Sequence, residues 1–84
     1  MDSSSPFLSL DDLQPGQKGI IVHVAVAEPL RRRLFDLGLV PGTPVQALGR
    51  SFLGDPLAFA LRQTVIALRR TDARRILTRP SARA

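Results

Sequence analysis

The side chains able to do chemistry are few and scattered. The chain of 84 residues holds one histidine, His23, and no cysteine, which excludes thiolate zinc sites, iron–sulfur ligation, thiol nucleophiles and disulfides. The carboxylates Asp11, Asp12, Glu28, Asp36, Asp55 and Asp72 are spread along the chain and suggest neither a nucleophile–base pair nor an acid–base dyad. No Gly-x4-Gly-Lys-Ser/Thr loop is present to cradle a nucleotide's phosphates. The reading is of a protein that is not an enzyme and has no obligatory cofactor. A divalent transition metal such as iron or zinc favours imidazole and carboxylate ligands. Within one chain that would mean His23 with a remote carboxylate such as Glu28, a weak site at best or one shared between molecules. A plain strand histidine is the preferred reading of His23.

Charge is the stronger signal. Twelve basic residues, eleven of them arginine, against seven acidic ones give a net charge of +5. The surplus gathers as Arg31–Arg32, Arg69–Arg70 and Arg74–Arg75 and can face phosphates, anionic headgroups or an acidic protein surface. Single-strand nucleic-acid binders add stacking aromatics. Here there is no Trp or Tyr and only four Phe, placed in apolar patterns, so a nucleic-acid-binding barrel is kept as the alternative and not as the first reading.

The elements that must position these residues fit one small domain. Residues 1–6 and 79–84 are expected to be flexible ends, with a single domain over 7–78. No apolar run approaches the roughly 18 residues of a membrane span, and the start lacks signal-peptide features, so a soluble, cytoplasmic chain is expected. Ser9 is placed to cap a short turn at Leu10–Asp12. In Lys18–Val26, Ile20, Val22, Val24 and Val26 are expected on one face of a strand, with Ile21, His23 and Ala25 on the other. Leu30, Leu34 and Leu37 recur at helical spacing behind Pro29, and Gly38 follows, which predicts a helix over 29–37. Pro41-Gly42 predicts a turn into a strand at 44–50. Leu53-Gly54-Asp55-Pro56 predicts a reversal before strands at 57–61 and 64–70, with Thr71 capping a last helical turn. About five short antiparallel strands with one inserted helix suggest a small barrel with an aliphatic core.

Four blocks in this order, SLDDLQPGQKG, LRRRLFDLGLVPG, LGDP and ALRR, resemble the ferrous iron transport protein A (FeoA-like) family over roughly residues 8–78. The resemblance implies an SH3-like barrel, in which Gly38, Pro41, Gly42, Gly54, Asp55 and Pro56 serve as structural turn residues. A similar domain ends the metal-dependent repressors of the diphtheria toxin repressor type, but this chain is too short to include their DNA-binding helices. The implied role is that of a small cytosolic, non-enzymatic accessory of ferrous iron uptake. It would bind the cytoplasmic, GTPase-containing part of a membrane ferrous iron transporter and so sit peripherally at the inner membrane. The expected contact surface is Arg31, Arg32, Leu39 and Val40, the last two being apolar residues in a turn, with Arg69 and Arg70 as a second candidate. A homodimer through an exposed strand edge is compatible with this reading.

Overall fold

β-Branched residues after Lys18 build the central strand of a sheet, and the register of that strand against one neighbour is interrupted by a bulge. The computed structural model describes residues 7–50 and 54–81. Its strands are β1 (Leu8–Ser9), β2 (Lys18–Val24), β3 (Pro44–Arg50), β4 (Leu57–Ala60), β5 (Val65–Leu68) and β6 (Ile76–Pro80). A 3-10 turn spans Leu10–Asp12, and the helices are α1 (Leu30–Asp36) and α2 (Arg70–Ala73). Pro29 and Leu37, the expected limits of the first helix, are the two caps of α1. The expected ends at 1–6 and 82–84 lie outside the described residues, as does Leu53 of the expected reversal, whereas Arg79 and Pro80 belong to β6.

The mainly-β architecture with an inserted helix is present, but the expected closed barrel is not. All strand pairings are antiparallel, and the order β1-β6-β2-β3-β4-β5 makes one six-stranded sheet with β1 and β5 at opposite edges. Closure needs a ladder between the two edge strands. Here one edge offers two residues, both spent on β6, and the other offers four.

Phase along β2 also differs from the expected alternation. Ile21 pairs with Thr78 and His23 with Leu77, which leaves Val22 as an extra residue. Such a bulge moves the following side chains to the opposite face. Gly19 and Ile21 are therefore buried before it and Val24 and Val26 after it, while Ile20 and Val22 are only half-buried. The core joins both halves of the strand with Leu10, Leu34, Leu39, Phe59, Ile66 and Ile76, each large aliphatic contributing about 1.5–3 kcal/mol on burial. Its one fully buried polar side chain among the described residues is Thr78, whose Oγ1 donates to the Leu8 carbonyl at 2.9 Å and so ties β6 to β1.

Neither hydroxyl expected to cap a backbone does so. Ser9 Oγ bonds the carboxylates of Asp11 and Asp12, and the N-cap of the last helix is Arg69, with Thr71 inside the helix.

Candidate functional site

The arginine-bearing face of α1 follows from its leucine spacing. Leu34 is buried and Leu30 packs against the core, which turns Arg31, Arg32 and Phe35 outward. Glu28 fastens the start of the helix. One of its carboxylate oxygens accepts from the Arg32 N–H at 3.2 Å and the other pairs with the Arg31 guanidinium at 3.0 Å. That guanidinium also lies over the Phe35 ring, 5.7 Å from its centroid, within the range of a cation–π contact.

The helix ends on Gly38, whose φ of +100° lies in the left-handed region that side chains with a Cβ resist. The Gly38 N–H donates to the Phe35 carbonyl at 3.0 Å and the Leu39 N–H to the Leu34 carbonyl at 2.9 Å. This paired closure carries the following residue back onto the helix's apolar side. Leu39 is consequently 0% exposed, which corrects the expectation that it lies on a contact surface. It takes the place at the helix end that the i, i+4, i+7 spacing assigned to Leu37. Leu37 is instead 44% exposed and Phe35 37%. Both were missed as surface candidates, although Gly38 in the sequence was the signal that Leu39 would turn inward. Val40 is half-buried. It opens the turn through Pro41-Gly42, closed by the Thr43 N–H on the Val40 carbonyl at 3.0 Å, with Gly42 at φ +95°. An open groove of about 710 Å³ separates Leu37, Gly38 and Pro41 on one wall from Leu61, Arg62 and Gln63 on the other.

The second candidate pair divides in two. Arg69 is exposed, but Arg70 is a clasp. Its N–H donates to Asp55 Oδ1 at 2.8 Å, and its Nη2 donates to the Gly54 carbonyl at 3.1 Å. Gly54, Asp55 and Pro56 therefore do more than reverse the chain: the LGDP and ALRR blocks are partners in space, Asp55 capping α2 from across the hairpin.

His23 is exposed on β2, Glu28 is engaged by Arg31 and the Arg32 amide, and no group of three or more His, Asp or Glu side chains suited to a metal ion occurs among the described residues. No helix among these residues is long and apolar enough to cross a membrane.

Residues 8–80 match the FeoA domain family. A curated relative from Porphyromonas gingivalis, a Fe(2+) transport protein A/Fe(2+) transporter FeoB fusion protein, is 29% identical over 69 residues. The match takes in 82% of this chain but only 8% of that protein's length. The solution structure of FeoA from Chlorobium tepidum superimposes with a TM-score of 0.86 at 33% identity, over 89% of this chain and 71% of that one. The crystal structure of Stenotrophomonas maltophilia FeoA, an SH3 domain protein complexed with zinc, gives a TM-score of 0.70 at 28% identity, over 84% of this chain and 88% of that one. The chain belongs to the FeoA family.

Proposed function

We propose that this FeoA-family chain is a small non-catalytic accessory of ferrous iron uptake that docks on the cytoplasmic, GTPase-bearing part of a FeoB-like transporter. The observation that carries this reading is the Porphyromonas gingivalis relative, in which a segment similar to this chain and the transporter are one polypeptide. Fusion holds the two at high effective concentration, which is useful only if the segment works on the transporter or beside it. Iron is then the cargo of the partner. Zinc accompanies the Stenotrophomonas maltophilia relative, but the placement of His23 and Glu28 supports no comparable role for them here.

The docking face is α1 and the turn after it. Arg31, Arg32, Phe35 and Leu37 combine positive charge with exposed apolar area, the mixture on which interface hot spots are built. Val40 borders this face, and Arg69 offers a second basic contact near the end of β5. The test is capture of the chain by the purified cytoplasmic part of a FeoB-like transporter, using the double substitution Arg32→Glu with Leu37→Asp. Both positions are exposed, so the fold should remain cooperative by thermal melting. Loss of capture is expected, and undiminished capture would overturn the assignment of this face.

A further inference from the structure

The strand β5 is an edge of the sheet whose backbone can be read residue by residue. Across the turn Arg62–Gln63, the Leu61 N–H donates to the Thr64 carbonyl at 2.8 Å. The pairs that follow are Ala60↔Val65, Phe59↔Ile66, Ala58↔Ala67 and Leu57↔Leu68. Antiparallel pairs alternate between hydrogen-bonded and non-bonded. Since Leu61–Thr64 is bonded, Ile66 and Leu68 bond to β4, while the N–H and C=O groups of Val65 and Ala67 turn toward the open edge. Among the described residues no strand lies beyond β5, and the side chains of Val65 and Ala67 are exposed, Val65 to 61%. The strand carries no charge or proline and pairs with β4 without a bulge. Within the strand itself, its shortness is what blunts the edge.

Charge decides what fits there. Exposed Arg62 precedes the strand and exposed Arg69 follows it. If β5 paired with itself, the second copy would bring its own exposed Arg62 and Arg69 to an edge that already carries both, in a chain already at +5. Like charges facing each other across strands destabilise the pairing. We propose that β5 instead accepts, by strand addition, an extended protein segment whose short apolar centre is flanked by carboxylates. Val65 and Ala67 would supply the backbone hydrogen bonds, and Arg62 and Arg69 would select the acidic flanks. The inference rests on the geometry of β5 and does not depend on the iron-uptake reading.

The probe is the peptide acetyl-Glu-Glu-Val-Thr-Val-Thr-Val-Glu-Glu-amide, followed by amide hydrogen exchange on the whole chain. At saturation the Val65 and Ala67 amides should slow roughly tenfold or more, while Ile66 and Leu68, already bonded to β4, stay unchanged. The same peptide N-methylated at alternate residues should give no protection, nor should its Lys-flanked counterpart. Arg62→Glu with Arg69→Glu should reverse the preference between Glu and Lys flanks by about tenfold in Kd, since opposed charge pairs become like pairs. Ala67→Pro removes an outward N–H while sparing the bonds to β4 and should abolish binding; if that variant does not fold, the N-methylated peptide makes the same distinction. The proposal is overturned if millimolar peptide leaves Val65 and Ala67 unprotected, or if the Lys-flanked peptide binds as well. It is also overturned if concentrating the chain alone protects these amides, which would make the occupant a second copy.

Discussion

Helix α1 and helix α2 both begin at a carboxylate, but Glu28 stands four residues from the amide it accepts, whereas Asp55 stands fifteen away. Around α1 the side-chain fastenings are local, Glu28 with Arg31 and Arg32 and Thr43 Oγ1 on the Gly38 carbonyl at 2.9 Å, and the long-range bonds come only in the turn after it, where Gly42 and Thr43 meet Ile21 of β2. Around α2 the fastenings reach across the fold, from Asp55 and Gly54 to Arg70 and from Asp11 to Arg74 at 3.5 Å. A local unit can form with its own helix. A unit joined at long range forms only once β4 and β5 have paired, because loop closure must come first. The arginine face of α1 is thus arranged by side chains within its own segment, and α2 is a fastener for the hairpin before it.

The sharpest way to break this contrast is at the end of α1. Leu39→Asp puts a carboxylate into the core and should cost at least about 4 kcal/mol, enough to abolish cooperative unfolding in a domain of this size. Leu37→Asp, two residues earlier on the surface, should stay within about 0.5 kcal/mol of the parent. Urea denaturation of the two variants would measure the difference, and equal midpoints would contradict the assignment of Leu39 to the core. Next in size is the long-range cap. Asp55→Ala should destabilise by about 1–2 kcal/mol and speed amide exchange at Arg70, while Asp55→Asn, which can still accept from that amide, should recover most of the loss. An alanine variant indistinguishable from the parent would remove the clasp from the account. Smallest is Glu28→Ala. The exposed pair with Arg31 is worth little, so a change of about 0.5 kcal/mol is expected, read from thermal melting at low and high salt. If Glu28→Ala cost more than Asp55→Ala, the local and long-range fastenings would have been ranked the wrong way round.

The same contrast explains which parts of the molecule were legible in the sequence. Pro29, the leucine spacing and Gly38 place α1 within a residue at each end, because the information lies inside one window. Asp55 read as a turn residue and not as a cap, because nothing in LGDP indicates that Arg70 will lie against it. The extra residue Val22 was equally invisible: a bulge is defined by the partner strand, and β6 lies more than fifty residues downstream. Barrel closure failed for a related reason. Alternation counts strands, but whether the two edges meet depends on their lengths and order. Among the site residues, Arg31 and Arg32 were placed correctly on the outer face of the helix, Leu39 was misplaced, and Phe35 and Leu37 were overlooked. That exchange turns on one left-handed glycine, whose effect is to fold back the residue after it as well as to stop the helix.

The contact between residues 54–55 and Arg70 bears on where the chain could be opened. Strands β4 and β5 are joined covalently at their tip through Arg62–Gln63, and their open ends are gripped by Asp55 and Gly54 on Arg70. The hairpin is in effect a ring, closed by peptide bonds at one end and at the other by a carboxylate on a backbone amide and a carbonyl on a guanidinium. Its two strands therefore do not depend on the tip to stay aligned. New chain ends introduced between Arg62 and Gln63, at an exposed loop tip where such changes are tolerated best, would leave both strands anchored and in register.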